Sequence, residues 1–284
     1  MDKVLYSYHV GQSFWYDYKV STPPKAQRFS VHTHDMLEVN YILSGQVRFS
    51  VEGNLYDVQP GDVLIMRPAE THMPIIDGPA PHERVTVHFT RGYLSQFFPD
   101  CGPLLTPFFG RKIGTYNQYH REHFASSLGC DALTAIGRNA KDSFDEPGYI
   151  HIHLMTFLSE LDLAWRRRNL KEEKTLPTAL SGRLLDYINK HLFEEISVSS
   201  ISEHFHMSAT HINRLFRQAT GTTVWKYVSA KRLVAAREKI RAGETAEEAS
   251  RSCGFGDYSA FYRAYRLRFS STPQADAHKE AGKE

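Results

Sequence analysis

Cysteine and long hydrophobic runs are scarce in this 284-residue sequence. Its three cysteines, Cys101, Cys130 and Cys253, are far apart and form no CxxC pair. We therefore expect neither a disulfide framework nor a cysteine zinc site, and predict incidental or buried thiols in a reducing compartment. No run of 18 apolar residues is present, and residues 1–20 lack the apolar core of a signal peptide. These absences predict a cytoplasmic protein with no membrane partner.

A strong charge of either sign is also lacking, because the formal net charge is only +2. From Ser181 onward there are 16 Lys and Arg against 12 Asp and Glu, whereas residues 1–180 have 18 against 20. The asymmetry has the sign expected for an acidic sensor followed by a basic nucleic-acid-binding region, but it is too small to establish either. The clustering of cations along the sequence is more informative than the net charge. If several of the clustered cations neutralise phosphates, DNA affinity should fall steeply as the salt concentration rises. The clustered cations are Arg214, Arg217, Lys226, Lys231 and Arg232.

A helix-turn-helix pattern is present twice in the last hundred residues, over about 198–220 and 245–269. In the first copy Ser199 and Ser200 are expected to cap one helix and Ser208 the next, and Gly221 is expected to end that second helix. In the second copy Gly254 permits the turn and Asp257 can cap. Apolar residues at helical spacing give each second helix one buried face. They are Ile212, Leu215, Phe216 and Ala219 in the first copy and Phe261, Tyr265 and Phe269 in the second.

Between the two copies, Val224 to Arg241 contains no proline or glycine and predicts one long helix. A helix of about 18 residues spans about 27 Å at 1.5 Å per residue. Such a helix suits a spacer that holds two reading helices about one DNA turn, roughly 34 Å, apart.

The polar residues outside the apolar faces are the predicted contacts to double-stranded DNA. The second helix of a helix-turn-helix lies in the major groove, where Arg, Asn and Thr can hydrogen-bond base edges. The alternative is a pair of packing helices with solvated outer faces, which two capped copies at similar spacing disfavour. The predicted contacts are Thr210, His211, Asn213, Arg214 and Arg217 in the first copy and Tyr258, Ser259, Tyr262, Arg263 and Arg266 in the second.

Residues 181–275 resemble the DNA-binding domain of the AraC/XylS transcription regulators. The resemblance implies two recognition helices in successive major grooves, with base-facing positions at Thr210, Asn213, Arg214, Tyr258, Ser259, Tyr262 and Arg263. The matching residues are Ile201, Ser208, Arg214, Leu215, Phe216, Gly221, Tyr227, Arg232, Ala235, Gly254, Phe255, Phe261, Arg263, Phe269, Thr272 and Pro273.

The second copy departs from the family pattern. Ala246 and Ala249 stand where the family usually has large aliphatic residues, and Ser270 stands where it has glycine. The aromatic residue usual after the Thr-Pro stop is missing from residues 274–276. Each lost large apolar side chain forgoes about 1.5–3 kcal/mol of burial. We therefore predict that the second helix-turn-helix unit is less stable than the first.

The first half of the chain has short β-rich runs separated by turn residues, which indicates a barrel or sandwich. The predicted strands are 28–34, 38–43, 46–51, 55–58, 63–67 and 84–89. Trp15 and Tyr16 lie on a possible N-terminal arm, which we expect to pack on the barrel. Further along, residues 103–114 predict a loop, and residues 120–139 and 149–169 predict helices.

Histidines and a glutamate in this region resemble both halves of the cupin motif: His32, His34, Glu38 and Gly45, then His72. Three imidazoles and a carboxylate suit zinc, iron, nickel or manganese, so any metal ligands would be His32, His34, Glu38 and His72. The same groups also hydrogen-bond hydroxyls, and we favour a small organic effector without a required cofactor. A buried polar network without a ligand is the third alternative. The predicted effector-binding residues are Arg28, His32, His34, Glu38, Asn40, His72 and His88.

The fold class predicted from these patterns is an α+β multidomain protein. It has a cupin-like β-barrel with helices for effector binding and dimerisation at 1–170, a linker at 171–180, and an all-α DNA-binding domain at 181–284. The predicted function is a ligand-responsive transcriptional regulator and not an enzyme. Family resemblance favours an activator that senses a carbohydrate-like metabolite, forms a homodimer through the helix at 149–169 and contacts RNA polymerase. The alternatives are a metal-dependent cupin enzyme with a DNA-binding tail and a constitutive DNA-binding protein with a dimerisation barrel.

Overall fold

The computed structural model describes residues 2–22, 27–28, 32–76, 80–139, 147–169 and 180–281. The chain divides into two compact units. The first comprises Met1–Phe29, Met36–Arg67 and His72–Leu176, and the second comprises Ser30–Asp35, Pro68–Thr71 and Pro177–Glu284. The predicted α+β class with a β-rich amino-terminal part and a helical carboxyl-terminal part is confirmed. The predicted linker falls almost wholly outside the described residues, and its bounds stay a prediction.

The first unit contains two antiparallel sheets. The six-stranded sheet has the order β1-β2-β9-β4-β7-β10, and the four-stranded sheet has the order β3-β8-β5-β6. The strands are β1 Asp2–Val10, β2 Phe14–Ser21, β3 Gln27–Arg28, β4 Leu37–Ser44, β5 Val47–Val51, β6 Asn54–Val58, β7 Val63–Met66, β8 His72–Ile76, β9 His82–Phe89 and β10 Gln118–Tyr119.

Alternation along the strands gives the six-stranded sheet two different faces. One face, with Val39 and Val87 among its residues, forms the larger core with the helices that follow the strands. The other face carries Ile42 and Leu64 into a smaller core shared with Phe49 of the four-stranded sheet. Glu38 and Asn40 alternate with Val39 on β4 and therefore lie on the side of this smaller core, between the two sheets.

The helices of the first unit cover the larger core. They are α1 Arg91–Ser95, α2 Thr106–Phe109, α3 Leu128–Asn139 and α4 Pro147–Asn169, with single 3-10 turns at Pro103–Leu105 and Arg121–His123. The helix predicted at 149–169 is confirmed as α4. The helix predicted at 120–139 begins only at Leu128, because Gln118 and Tyr119 pair with β7 and the chain then makes a 3-10 turn. The loop predicted at 103–114 contains two short helical pieces, each with proline in its first turn.

Trp15 and Tyr16, predicted on a possible arm that packs on the barrel, lie in β2 of an amino-terminal hairpin, and β2 pairs with β9 along its whole length. Two other features of the strands were not predicted correctly. The strand at His72–Ile76 was missed. The strand predicted at 28–34 is not continuous in the described residues, because His32 makes an isolated bridge and residues 33–34 are not in a strand. The expectation that His32 and His34 project from one face of a continuous strand is therefore not met.

The second unit is built from seven helices in its described residues. They are α5 Leu180–Lys190, α6 Val198–Phe205, α7 Ala209–Thr220, α8 Val224–Arg241, α9 Ala246–Ser252, α10 Tyr258–Phe269 and α11 Pro273–Ala281. Helix α8 joins two cores: Tyr227 and Val228 pack with α5, α6 and α7, whereas Leu233 and Ile240 pack with α9 and α10. The uninterrupted helix predicted at 224–241 is confirmed. Among the described helices of the whole chain, none is long and apolar enough to cross a membrane.

Candidate functional site

The first helix-turn-helix is formed by α6 and α7. Ser197 caps α6 in a reciprocal capping box with Ser200, so the cap lies two residues before the predicted Ser199. The turn contains His206 in the left-handed region at φ 53°. Ser208 then caps α7 by accepting a hydrogen bond from the His211 backbone, and Gly221 ends the helix at φ 71°. The last two features confirm the predicted bounds of the recognition helix.

Packing determines which side of α7 remains available. Ile212 and Phe216 are buried in the first core, together with Ile201 of α6. Because these residues are spaced by four, the opposite side of the helix must face away from the core. Thr210, Arg214 and Arg217 are exposed there. A depression beside them is lined by Thr210, Asn213, Arg214, Arg217, Gln218 and Thr223.

The second helix-turn-helix is formed by α9 and α10. Thr245 and Glu248 make a capping box at the start of α9, and Asp257 caps α10. Gly254 in the turn has φ 81°, and a Cβ placed there would lie 2.7 Å from the carbonyl oxygen of Phe193. Glycine is therefore required by both backbone conformation and space. This confirms the roles predicted for Gly254 and Asp257.

Helix α10 presents polar residues outside its buried face. Phe261 and Tyr265 are fully buried in the second core. Ser259, Arg263 and Arg266 are exposed, Tyr258 is 38% exposed and Tyr262 is half-buried. A second depression is lined by Tyr262, Arg263, Arg266, Leu267, Ser270, Ser271, Thr272 and Ala275.

The exposed arginines form a cationic surface on each recognition helix. Among the described residues, Arg214, Arg217, Arg263 and Arg266 take part in none of the ion pairs. Their guanidinium groups are thus available to phosphates and to guanine edges. The arrangement has the geometry that the DNA-contact prediction requires, while the assignment of each contact stays a prediction.

Two cations of the predicted phosphate-binding cluster have a different role. Lys231 is fully buried, donates to Oδ1 of Asn189 at 2.9 Å and lies 4.9 Å from the centre of the Tyr227 ring. Arg232 is buried as well, and donates to the carbonyl oxygens of Leu192, Glu194 and Gly254. Sequence proximity to Arg217 was misleading, because on a helix these positions turn inward. Arg232 ties the segment after α5 to the turn of the second helix-turn-helix.

A further buried polar group, which was not predicted, is centred on Asp276 of α11. Its Oδ2 accepts hydrogen bonds from Nε of Arg237 at 2.8 Å and from the Tyr265 hydroxyl at 2.7 Å. Asp276 is fully buried and Arg237 is 4% exposed. Three residues far apart in sequence thus join α8, α10 and α11, and no local pattern could have revealed the pairing.

The first unit contains a second candidate site, formed by polar residues among the predicted effector ligands. Oε2 of Glu38 lies 2.9 Å from Nε2 of His72 and 3.4 Å from Nε2 of His88. Oε1 of Glu38 accepts a hydrogen bond from the Asn40 amide at 2.6 Å, and Thr86 donates to Asn40 at 2.8 Å. The ring of Trp15 packs edge-on against that of His88, with 5.7 Å between the ring centres, and Trp15 is 37% exposed. The structure therefore brings Glu38, Asn40, His72 and His88 together, as the sequence predicted.

The remaining predicted ligands are His32, His34 and Arg28. His32 and His34, whose ring centres lie 6.3 Å apart, belong to a segment that groups with the second unit. The predicted metal set of four residues is therefore not contained in one unit, and it stays a prediction. Arg28 lies in β3 opposite Ile75, and its side chain is outside the described residues. A carboxylate with two imidazoles, as in Glu38, His72 and His88, has the donor chemistry for a divalent metal as well as for hydroxyl groups.

Comparison with known proteins matches both units. A helix-turn-helix domain family model matches residues 201–278, and a cupin domain family model matches residues 18–88. The chain is 25% identical over 253 residues to the HTH-type transcriptional activator RhaS of Citrobacter koseri, covering 87% of this chain and 86% of that protein. RhaS of Salmonella schwarzengrund shows the same identity and coverage.

Solved structures were matched as well. ToxT from Vibrio cholerae matches 95% of this chain and 98% of its own at 8% identity, with a TM-score of 0.40. A probable AraC family transcriptional regulator from Rhodopseudomonas palustris matches 36% of this chain and 98% of its own at 22% identity, with a TM-score of 0.33.

The two family models match separate ranges of the chain, and these ranges have the order predicted from the sequence. The matched helix-turn-helix range contains both recognition helices, and the matched cupin range contains Glu38, Asn40, His72 and His88. These matches support an AraC-family DNA-binding transcriptional regulator with a cupin-like amino-terminal domain and a helix-turn-helix carboxyl-terminal domain.

Proposed function

We propose that this regulator activates transcription in response to a small polar metabolite bound in the cupin domain. The observation that carries the proposal is the combination of exposed arginines on α7 and α10 with a buried polar cluster around Glu38 in the same chain. The relatives named above as transcriptional activators support activation over repression. The expectation that the protein has no enzymatic activity is part of this proposal, as is a place in the cytoplasm, where it meets its DNA.

The proposed effector is a carbohydrate or a similar polyhydroxylated metabolite. Glu38 and Asn40 supply a charged acceptor and an amide, and His72 and His88 supply imidazole nitrogens. Such groups hydrogen-bond hydroxyls, and a buried polar surface discriminates strongly against ligands that leave it unsatisfied. Trp15, partly exposed beside His88, offers an aromatic surface for the apolar face of a sugar ring.

We further propose that the active form is a homodimer that contacts RNA polymerase. Helix α4 buries most of its apolar residues but leaves Ile152 67% exposed and Leu163 45% exposed. These residues are eleven positions apart, about three helical turns, and thus lie on the same side of the helix. Pairing of two copies of α4 would cover them.

A metal in the cupin domain is the second candidate, favoured by the contacts of Glu38 with two histidines. A divalent ion bound there would supply positive charge that neutralises Glu38 and orients a coordinating hydroxyl or carboxylate of the effector. Thermal unfolding in the presence of a panel of sugars, and separately of divalent metals after chelation, distinguishes the two candidates. A ligand that binds only the folded protein raises the unfolding temperature. Stabilisation by sugars but by no metal supports the organic effector.

DNA binding is tested by selecting duplexes from a random pool and measuring their affinity for variants. Changing Arg214 to Ala should cost about 1–3 kcal/mol in affinity for the selected sequence, because the exposed guanidinium is removed from the centre of α7. Arg251→Ala is the matched control: it removes the same charge from the DNA-binding unit at a residue that pairs with Glu247. An Arg214→Ala variant with unchanged affinity for its selected sequence would refute the assignment of α7 as the reading helix.

A further inference from the structure

The two recognition helices have the same length and the same buried positions, so they can be compared residue by residue. Helix α7 begins at Ala209 and α10 at Tyr258, each directly after its capping residue, and each has twelve residues. The fourth position is buried in both, as Ile212 and Phe261, and so is the eighth. Because the buried side of each helix has the same positions, equal positions also face outward on α7 and α10.

The exposed arginines occupy equivalent positions in this comparison. The sixth position is Arg214 on α7 and Arg263 on α10, and the ninth is Arg217 and Arg266. Both arginines of each helix line the depression beside that helix. Guanidinium groups pair with phosphates and with guanine edges, so the arginines give α7 and α10 the same cationic contacts.

Two other outward positions carry different chemistry on the two helices. The fifth position is Asn213 on α7 but Tyr262 on α10. The tenth is Gln218 on α7 but Leu267 on α10, and all four side chains line the same two depressions. At about 100° per residue these positions flank the arginines around the helix, and they lie about 7.5 Å apart along its axis. That length is about two base-pair steps of DNA.

The side chains on α10 at these positions are suited to an apolar contact. Leu267 is 87% exposed, although it is aliphatic, and Tyr262 is half-buried beside Tyr258, with 6.4 Å between the two ring centres. In the major groove the apolar group offered by a base is the C5-methyl of thymine. The side-chain amides of asparagine and glutamine instead match the N6 donor and N7 acceptor of adenine.

We infer that α10 recognises thymine methyl groups through Tyr262 and Leu267, whereas α7 recognises adenine edges through Asn213 and Gln218. Base pairs read by α7 and α10 are thus distinguished by different chemical groups, in spite of the shared arginines. DNA is the occupant that fits Leu267, because the apolar side chain is continuous with a cationic surface that includes Arg263 and complements phosphates. This inference rests on the proposed function, since it concerns the sequence that the regulator binds.

The test places base analogues in a duplex selected from a random pool by the unchanged full-length protein. Arg214→Ala and Arg263→Ala first locate the sub-sites of α7 and α10, as the positions where each variant relaxes the selected sequence. Deoxyuridine, which lacks the methyl group, should then lower affinity about fourfold per contacted thymine in the α10 sub-site, equivalent to about 0.8 kcal/mol. In the α7 sub-site, 7-deazaadenine, which lacks N7, should lower affinity about fivefold, and deoxyuridine should have little effect.

Side-chain variants assign the deoxyuridine effect to residues of α10. Leu267→Ala and Tyr262→Ala should each weaken binding to the thymine-containing duplex and reduce the additional loss caused by deoxyuridine, because side chain and methyl group belong to one contact. Leu267→Met keeps an apolar side chain and should retain the effect. Leu55→Ala is the matched control, since it removes an exposed leucine from β6 of the first unit and should change neither affinity nor the effect.

Three results would overturn the inference and leave DNA binding itself intact. They are an α10 sub-site without thymine, full tolerance of deoxyuridine in that sub-site, and a deoxyuridine effect that is undiminished in both alanine variants. Failure of the unchanged protein to select any duplex would instead contradict the proposed function, and the inference would fall with it.

Discussion

Removal of the Asp276 carboxylate should destabilise the second helix-turn-helix unit more than any surface substitution. Asp276 is fully buried and accepts hydrogen bonds from Arg237 and Tyr265. Breaking a buried ion pair by removing one partner costs about 3–5 kcal/mol, because a charge is left uncompensated. Arg237 retains Asp35 at 2.9 Å, so we expect the lower end, about 3 kcal/mol, for Asp276→Ala. Asp276→Asn keeps an oxygen acceptor and should cost about 2 kcal/mol.

Hydrogen exchange of the amides of α10 and α11 is the suitable assay, since a protein of two units need not unfold in one transition. Glu247→Gln is the control: it removes an exposed carboxylate of the same unit and should change stability by less than about 0.5 kcal/mol. Exchange of α10 in Asp276→Ala that matches this control would refute the assignment of Asp276 as a buried structural anion.

The same group gives a pH dependence. Burial by itself would raise the pKa of Asp276, but hydrogen bonds from Arg237 and Tyr265 outweigh it and hold the pKa below its ordinary value of 3.8. A carboxyl group with a depressed pKa in the folded state stabilises that state above its unfolded pKa. Its contribution is therefore complete at neutral pH and is lost as the pH falls below about 4. The α10 exchange difference between the unchanged protein and Asp276→Asn should shrink over that range.

Two other predictions concern the turn and a thiol. Gly254→Ala should destabilise the second unit by at least about 1–2 kcal/mol, because φ is 81° and the new Cβ would lie 2.7 Å from a carbonyl oxygen. Gly256→Ala is the control and should have less effect, because no atom lies within 4 Å of its new Cβ. Equal decreases in unfolding temperature for the two variants would contradict this prediction. Burial raises the pKa of the Cys130 thiol to about 12. A thiol-reactive label at pH 8 should therefore leave Cys130 of the native protein unmodified until the chain is unfolded. Rapid labelling of Cys130 in the native protein would disprove its burial.

Asp276 also bears on the predicted weakness of the second helix-turn-helix unit. The stabilisation lost with the aromatic residue missing from positions 274–276 is partly replaced, because Asp276 of α11 accepts hydrogen bonds from Arg237 of α8 and Tyr265 of α10. Ala246 and Ala249 nevertheless pack in the second core with less apolar surface than large aliphatic residues would provide. The lower stability of this unit stays a prediction, and equal exchange protection of α7 and α10 in the unchanged protein would overturn it.

Local chemistry made much of the second unit predictable. Caps, helix ends and turns depend on the conformation of a few neighbouring residues, which the sequence shows directly. The structure confirms the predicted roles of Ser208, Gly221, Gly254 and Asp257 as caps, a helix end and a turn. The choice of outward-facing arginines followed from helical periodicity for the same reason. The prediction that Lys231 and Arg232 contact phosphates was wrong, because both side chains are buried. They donate hydrogen bonds to amide and carbonyl oxygens inside the protein.

In the first unit, pairing between distant segments decided what composition left open. The amino-terminal hairpin is part of the sheet because β2 pairs with β9, which is more than sixty residues away in the sequence. The predicted helix starts late, at α3, because Gln118 and Tyr119 pair with β7. Short-range spacing encodes α7 and α10, their caps at Ser208 and Asp257 and the residue types of the polar cluster, so these features could be predicted without coordinates. Which charges are buried depended on the folded chain, which joins Asp276 to Arg237 and Glu38 to His72, because the free energy of a buried charge depends on its spatial neighbours.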